Sequence, residues 1–273
     1  MNIPVVFIHL NESKYAVDIF SNASYRNDVY VISNIDYSNF VSSIKAINIS
    51  TLQTASVKHF SDSYKHLHSG PYSHELFCYQ RWFFLLQFMI QHNFETILHL
   101  DSDIILNTDA SKDHDNYKQY IMTLAHGSSG ATSYITKEGL SLFIDMLMDV
   151  YSGPSYTFDL LECQYQNMIK HNRPGGICDM TLLNLFRERC DYGGGPNRVG
   201  EMMQILDGCT HDHNINVDDS DYEMHNRIKN IHISDGRIFC KNLRLDKLIE
   251  FKSLHCQGEA KYHIKNICSE LLK

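Results

Sequence analysis

Hydrophobic and polar positions divide this chain into short apolar runs and longer polar or amphipathic segments. Three continuous apolar runs, at residues 5–10, 29–32 and 46–49, are typical of strands that are buried on both faces. The segments between them are polar and compatible with helix. This alternation predicts βαβ units with right-handed crossovers, and hence an α/β fold with a mixed, mostly parallel central sheet flanked by helices.

The clearest helix pattern lies at residues 75–92, where apolar side chains recur at helical spacing and Ser73 could serve as the N-cap. A strand at 96–100 follows directly. Further along, the pattern predicts a strand at 131–135, a helix at 137–150 capped by Thr136, a helix at 178–190, short strands at 203–206, 230–233, 237–240 and 250–255, and a final helix at 259–272. No linker or repeat divides the chain, so we expect a single domain over residues 1–273.

Composition and charge narrow the functional class. The 273 residues are 43% hydrophobic and carry a formal net charge of −8, with Lys and Arg scattered, which argues against nucleic-acid binding. No apolar run reaches the roughly 18 residues of a membrane span, and the first residues lack the basic region of a signal peptide. The eight cysteines form no Cys-x-x-Cys pair, so a structural zinc site has no support.

Two carboxylates, Asp101 and Asp103, follow the strand predicted at 96–100. The carboxyl ends of strands in α/β sheets are where ligands bind. Two hard oxygen ligands one residue apart suit Mg²⁺ or Mn²⁺, and such a metal suits a diphosphate. Asp-x-Asp by itself is also a common composition for a polar turn, so the metal interpretation needs a further ligand.

His255 is the candidate for that further ligand, since it ends a strand-like run near the C-terminus. Gly258 would let the backbone approach a phosphate, and Lys261 would add a positive charge at the start of a helix. The alternative is a core histidine followed by a solvated lysine. With the Asp pair in place, the ligand interpretation is favoured.

These motifs, in this order, resemble those of GT-A-fold glycosyltransferases, and the Asp-x-Asp with the late His-x-x-Gly-x-x-Lys is similar to that of glycosyltransferase family 8. The resemblance implies a GT-A fold, a Mn²⁺ or Mg²⁺ cofactor, and transfer of a sugar from a nucleotide sugar, with UDP favoured. It also implies that Asp101, Asp103 and His255 are metal ligands and that Lys261 contacts the diphosphate. The Pro-Trp pair that often follows the family's lysine is absent at 262–263.

Asp179 corresponds in order to an acidic residue of the same family. It could orient hydroxyl groups or act as a base in an inverting enzyme. Equally, it could be a carboxylate stabilised by the dipole at a helix N-terminus. Arg81 could reach the nucleotide or simply pack along its stem. The candidates for binding the donor lie after the first strands, on the long helix, at the Asp pair and in the last motif. They are His9, Asn11, Ser33, Asn34, Arg81, Asp101, Gly258 and Lys261.

Two further segments contain residues typical of metal or phosphate sites, but their spacing does not support such a site. Residues 211–214 read His-Asp-His-Asn, but adjacent ligands on a loop rarely converge on one ion, so we interpret them as an acceptor-side loop. The Gly-Gly-Gly-Pro at 193–196 has no following Lys-Ser or Lys-Thr and is not a phosphate-binding fingerprint. It could form a loop that orders over the donor.

The combined pattern predicts a hexosyl- or pentosyltransferase that acts in glycan or polysaccharide biosynthesis, with a nucleotide-binding half at 1–107 and an acceptor-side half at 108–273. The acceptor would be a hydroxyl of an oligosaccharide, polysaccharide or glycolipid, and the location cytoplasmic or peripheral to a membrane. A nucleotidyltransferase is one alternative, but it needs a Gly-rich basic loop where residues 11–14 read Asn-Glu-Ser-Lys. A catalytically inert nucleotide-sugar-binding or scaffold protein is the other.

Overall fold

Strands and helices interleave through most of the chain. The structure is a computed structural model that describes residues 2–192, 198–217 and 221–273, so the loop predicted at 193–196 lies outside the described residues. The strands are, in chain order, β1 (Val5–Ile8), β2 (Val29–Ser33), β3 (Lys45–Asn48), β4 (Thr96–Leu100), β5 (Ile104–Leu106), β6 (Met122–Leu124), β7 (Thr132–Thr136), β8 (Val199–Glu201), β9 (Cys209–His211), β10 (Met224–His225), β11 (Ile228–Lys229), β12 (Ile231–Ser234), β13 (Arg237–Asn242) and β14 (Lys247–His255). The helices are α1 (Lys14–Ser24), α2 (Ala55–Ser63), α3 (Tyr72–His92), α4 (Ala110–Asp113), α5 (Lys137–Tyr151), α6 (Tyr156–Lys170), α7 (Asp179–Tyr192) and α8 (Ile264–Leu271).

A seven-stranded sheet forms the centre of the molecule, in the order β3-β2-β1-β4-β7-β6-β8. Strands β1 to β4 pair in parallel, β7 runs antiparallel to β4 and β6, and β6 pairs in parallel with β8. The sheet is therefore mixed and mostly parallel, as the sequence predicted. Parallel strands need helical crossovers, and these cover both faces of the sheet.

Two hydrophobic clusters lie on opposite faces of this sheet, because successive side chains of a strand point to opposite sides. Val5 and Phe7 of β1 pack in one cluster with Phe20 of α1. Val6 lies in the other cluster with Trp82 of α3. Burial on both faces explains why these strands appear as continuous apolar runs rather than alternating ones.

A second sheet pairs the short strand after the Asp pair with strands from the C-terminal part of the chain. Its order is β12-β13-β14-β5, all antiparallel, and β9 pairs in parallel with β14. Within it, Leu254 lies opposite Ile105 and His255 lies opposite Ile104. Because β5 begins immediately after Asp103, this register brings His255 beside the Asp pair.

Three of the long helices lie where the sequence predicted them. Those expected at 75–92, 137–150 and 178–190 coincide with α3, α5 and α7, and the strand expected at 96–100 is β4. Thr136 does cap α5, since its hydroxyl accepts a hydrogen bond from Gly139 N at 3.0 Å. These elements have strong periodic patterns, which local sequence is sufficient to reveal.

The strand predicted at 203–206 was wrong. This segment is a turn, in which the Glu201 carboxylate accepts a hydrogen bond from Met203 N, and Leu206 makes only an isolated bridge with Cys209. Its apolar side chains pack against the core without ladder pairing, so a short apolar run imitated a strand.

Two helix predictions also need correction. Ser73 is not the N-cap of α3, because the helix already begins at Tyr72 and Pro71 occupies the cap position. Helix α6 was not predicted at all. Only Phe158 and Leu161 are buried along its 15 residues, so it lacks the broad apolar stripe from which a helix is recognised.

The final helix, expected at 259–272, is divided into two parts. Gly258–His263 form a 3-10 turn, and α8 follows with Ile264 and Ile267 packed in the same cluster as α1. Across the ranges that the structure describes, no helix combines the length and the apolar character that a membrane crossing requires.

Candidate functional site

The Asp-Ser-Asp turn lies at the carboxyl end of β4, between the two sheets. Asp101 N donates to Ala131 O at 2.8 Å, and Ile104 N donates to Asp101 O at 3.0 Å. Cys256 N donates to Asp103 O at 2.9 Å. Backbone bonds from both sheets thus hold the turn, so that its two carboxylates are fixed relative to each other and to β14.

One cluster of possible metal ligands lies at this turn. Ligand atoms of Asp101, Asp103 and His255 all lie within 4.8 Å of one another, and this is the one such group of three or more among the described residues. His255 Nε2 lies 3.4 Å from Asp103 Oδ1. The structure therefore brings together the three residues that the sequence proposed as ligands, although His255 is far away along the chain.

The orientation of the His255 ring suits a ligand. Its Nδ1 lies 2.5 Å from the carbonyl oxygen of His213, and this contact makes Nδ1 the donor, because a carbonyl can only accept. Nε2 faces the Asp103 carboxylate, and burial is outweighed by this carboxylate, which raises the pKa of His255. In the neutral ring that a metal ligand requires, Nε2 is the atom with a free lone pair. This carbonyl–histidine arrangement is the usual support of a metal-bound imidazole. Two carboxylates with one imidazole fit a divalent ion such as Mn²⁺ or Mg²⁺.

Cationic groups surround Asp103. Lys261 Nζ lies 3.1 Å from Asp103 Oδ2, and 4.9 Å from the centre of the Tyr15 ring. Burial opposes ionisation of Asp103, but the hydrogen bonds and charges of His255 and Lys261 outweigh it and lower the pKa of this carboxyl. For Lys261, burial is outweighed by the Asp103 carboxylate, which raises the pKa of the amine. Asp103 is therefore an ionised carboxylate held beside an ionised lysine.

Asp101 has a different partner. Arg81 Nη1 donates to Asp101 Oδ1 at 2.7 Å, and Arg81 Nη2 donates to Asp179 Oδ2 at 2.6 Å. Trp82 Nε1 also donates to Asp179 Oδ2, at 3.1 Å. Burial opposes the charge of Arg81, but the two carboxylates outweigh it and raise the pKa of the guanidinium. Arg81 is thus a buried bridge between Asp101 and Asp179, rather than an arginine that only packs along its stem.

Asp179 lies at the start of a helix and close to the cluster of possible metal ligands. It is the first residue of α7, where the helix dipole favours a carboxylate. It is also connected to Asp101 through the single Arg81 side chain. The geometry places Asp179 at the site, while its part in any reaction stays a prediction.

His9 joins the same site, whereas the other candidates on the first strands lie at a separate cavity. His9 Nδ1 lies 2.7 Å from the Ser102 hydroxyl oxygen, within the Asp-Ser-Asp turn. Asn11 N donates to Asn34 Oδ1 at 2.8 Å, and the Ser33 hydroxyl accepts from the backbone two residues later. Ser33 and Asn34 line a cavity of about 180 Å³ at the ends of β2 and β3.

Gly258 lies in the 3-10 turn between His255 and Lys261. Its φ of +60° is in the left-handed region, and a Cβ built on it would meet nothing within 4 Å. This backbone conformation favours glycine, and there is open space in front of the turn. That space is consistent with the close backbone approach that the sequence predicted.

Sequence reasoning missed His99, which lies beside Asp101. Its Nε2 is 3.7 Å from Asp101 Oδ1, and its Nδ1 contacts Val6 O at 3.1 Å. Burial and the charge of Arg81 lower the pKa of His99 to about 4, so this ring is neutral at pH 7. A histidine inside the apolar run Thr-Ile-Leu-His-Leu was the signal that could have revealed it.

The segment 211–214 is a loop except for its first residue, and two of its side chains are buried. His211 ends β9, and its Nε2 lies 3.0 Å from Asp113 Oδ2 inside the protein. Asp212 is paired with Lys229 at 2.9 Å, and His213 supports His255. Residues 212–214 do form a loop, as the sequence predicted, whereas His211 belongs to a strand. That this loop faces an acceptor stays a prediction.

No protein-family model and no curated protein sequence matches this chain. Solved structures to which the chain is similar include mouse xyloside xylosyltransferase 1, at 10% identity and a TM-score of 0.42 over 69% of this chain and 82% of that chain. Another is a glycosyltransferase involved in the glycosylation of the major capsid of PBCV-1, at 11% identity and a TM-score of 0.32, over 62% of this chain and 74% of that chain. A third is the glycosyltransferase GlyE of Streptococcus pneumoniae TIGR4, at 14% identity and a TM-score of 0.40, over 74% of this chain and 45% of that chain. All three are named as glycosyltransferases, but similarity at this level assigns no activity to the present chain.

Proposed function

We propose that this protein is a metal-dependent glycosyltransferase of the GT-A type, which moves a sugar from a nucleotide sugar to a hydroxyl of a glycan acceptor. The observation that carries the proposal is the convergence of Asp101, Asp103 and His255 at the carboxyl end of a parallel strand. This edge of an α/β sheet is where such folds bind ligands. The motif order that resembles glycosyltransferase family 8 supports the same proposal.

Each residue of the cluster has a part that its surroundings suit. Asp101, Asp103 and His255 would hold the ion, and Arg81 would keep Asp101 in place. When bound, Mn²⁺ or Mg²⁺ stabilises the negative charge on a leaving diphosphate. Lys261 stays protonated and adds positive charge at the same place.

The donor would lie along the ends of the first strands. Ser33 and Asn34 border the cavity of about 180 Å³, and Asn11 is hydrogen-bonded to Asn34 beside it. These residues would offer hydroxyl and amide groups to a base or ribose. We favour UDP as the nucleotide because of the resemblance to family 8. Residues 1–107 would then bind the nucleotide, and residues 108–273 would face the acceptor and supply the last motif, within one domain.

Asp179 could orient sugar hydroxyls or act as a base. Its hydrogen bonds to Arg81 and Trp82 hold one carboxylate oxygen in place, which suits orientation. A base must reach the attacking hydroxyl directly. We therefore favour the orienting part for Asp179. The acceptor we propose is an oligosaccharide, polysaccharide or glycolipid, at a cytoplasmic or membrane-peripheral location.

A thermal-shift screen with UDP-, GDP-, CMP- and dTDP-sugars, each with and without Mn²⁺, tests the proposal. A ligand that binds the native state raises its melting temperature. We expect a rise that needs both one nucleotide sugar and the metal, and that disappears in Asp103→Ala. The control is Asp62→Ala, which removes an exposed carboxylate of α2 and should leave the rise intact.

One observation favours a catalytically inert nucleotide-sugar-binding protein as the second candidate. Both carboxylates of the turn already have a cationic partner, Arg81 for Asp101 and Lys261 for Asp103. Slow Mn²⁺-dependent hydrolysis of the bound nucleotide sugar, lost in Asp103→Ala, would identify an enzyme. Binding without any turnover of the donor would favour the inert protein.

A further inference from the structure

Three backbone or ring contacts hold His255, and all of them come from residues 212–215. His255 N donates to Asp212 Oδ2 at 3.1 Å, and His255 Nδ1 donates to His213 O at 2.5 Å. Ile215 N donates to the His255 carbonyl oxygen at 3.1 Å. This segment continues beyond β9 along the end of β14, so it fixes both the backbone and the ring of the proposed ligand.

Lys229 holds that segment on both sides of His213. Its Nζ donates to Asp212 Oδ1 and to the Asn214 carbonyl oxygen, each at 2.9 Å. Its backbone N donates to Ile215 O at 2.8 Å. One lysine therefore ties together the residues that flank the carbonyl to which His255 Nδ1 is bonded. We call residues 212–216 together with Lys229 the clamp.

The clamp also reaches the turn that leads to Lys261. Asn214 Nδ2 donates to Gln257 Oε1 at 2.7 Å, and Asn216 Nδ2 donates to Gln257 O at 2.6 Å. Gln257 is the last residue before the Gly258–His263 turn. The clamp thus holds the chain on both sides of Cys256. It bonds to His255, the proposed metal ligand, and to Gln257, which leads into the turn that carries Lys261.

The clamp contains a buried charged pair, Asp212 with Lys229, and burial of such a pair costs free energy. The side chains of Asp212 and Lys229 are each 1% exposed. Removing two charges from water is expensive, and apolar residues of similar volume often give equal or greater stability. A buried pair with this many hydrogen bonds is better explained by the geometry that it fixes than by the stability that it adds.

From these contacts we infer that Asp212 and Lys229 are positioning residues, which preset His255 Nε2 for a divalent ion. The inference rests on the proposed function, because it requires that His255 binds the metal. Residues that hydrogen-bond to metal ligands commonly change metal affinity by about 10–100-fold when they are replaced. Neither Asp212 nor Lys229 is expected to touch the ion or the substrate itself.

The test is the Mn²⁺ dissociation constant of the full chain in the presence of UDP, measured from the electron paramagnetic resonance signal of free Mn²⁺. In Lys229→Met and in Asp212→Asn we expect Mn²⁺ to bind about 10–100-fold more weakly. The matched control is Leu147→Ala, which removes a fully buried side chain in the hydrophobic cluster on the other face of the main sheet. It should lower the melting temperature and leave the Mn²⁺ dissociation constant unchanged.

The outcomes separate the inference from the proposed function. Wild-type affinity in either folded variant would overturn the positioning role and leave the proposed function standing. If Lys229→Met does not fold, the Mn²⁺ affinity of Asp212→Asn decides the positioning role instead. This variant keeps the size of the side chain. If the control weakens Mn²⁺ binding as much as the variants do, the effect is general destabilisation and the inference is wrong. A wild-type protein that binds no Mn²⁺ with UDP would overturn the proposed function as well.

Discussion

The two carboxylates of the Asp-Ser-Asp turn are one residue apart, but they face different regions of the molecule. Asp101 faces the helical side, where Arg81 of α3 joins it to Asp179 of α7. Asp103 faces the second sheet, where His255 and Lys261 surround it. On the helical side, two carboxylates share the single guanidinium of Arg81. On the side of the second sheet, the single carboxylate of Asp103 lies between a lysine and a histidine.

Burial adds a second difference between these groups. In the pair of Arg81 with Asp179 the two side chains are 14% and 6% exposed, whereas in the pair of Lys261 with Asp103 they are 35% and 11% exposed. Exposed charge pairs contribute little to stability and exchange partners readily, but buried ones are costly to break. The comparison indicates a rigid half that holds Asp101 and an exchangeable half in which Asp103 can take a different cation.

The largest effect should come from breaking the rigid half. Arg81→Met leaves Asp179 buried without its cation, and we expect the free energy of unfolding to fall by about 3–5 kcal/mol. Urea denaturation followed by circular dichroism measures this. Arg173→Met removes an exposed arginine and serves as the control. A loss no greater than that of the control would mean that the helical side is not the rigid partner.

A change in the exchangeable half should affect ligand binding more than stability. In Lys261→Met we expect donor binding with Mn²⁺ to weaken by about 10–100-fold, since a hydrogen bond to a charged group contributes roughly 1.5–3 kcal/mol. The melting temperature should change little because the pair is partly exposed. Isothermal titration with the nucleotide sugar from the screen measures the affinity, with Lys265→Met on α8 as the control. Unchanged donor affinity would remove Lys261 from the proposed site.

The smallest effect concerns a buried carboxylate outside the site. Burial opposes ionisation of Asp113, but His211 and a hydrogen bond from Tyr134 outweigh it and lower the pKa of this carboxyl from 3.8. The unfolded chain then binds a proton more readily, so the stabilisation is complete above pH 3.8 and is lost as the pH falls through the folded pKa. Melting temperatures at pH 3–6 should show the difference between wild type and Asp113→Asn shrinking on acidification. A difference that stays constant or grows at low pH would contradict the lowered pKa.

Strongly periodic or fully buried segments were predictable because their pattern is local. The runs that became β1, β2 and β4 are apolar at most positions, and α3 and α5 repeat at helical spacing. Short or weakly amphipathic segments were not predictable in this way. The apolar run at 203–206 packs as a turn, and the mostly exposed α6 has too narrow an apolar face to be recognised.

The sequence by itself determined the order of the strongly patterned strands and helices and the strand end that carries the Asp pair. Through motif order, it also indicated the three residues proposed as ligands. Only the tertiary structure decided which side chains are partners. Arg81 meets Asp179, and Lys229 meets Asp212, because helices and strands far apart in the chain pack against each other. Periodicity records whether a residue is buried, but a partner depends on the packing of distant elements, and no local pattern contains that information.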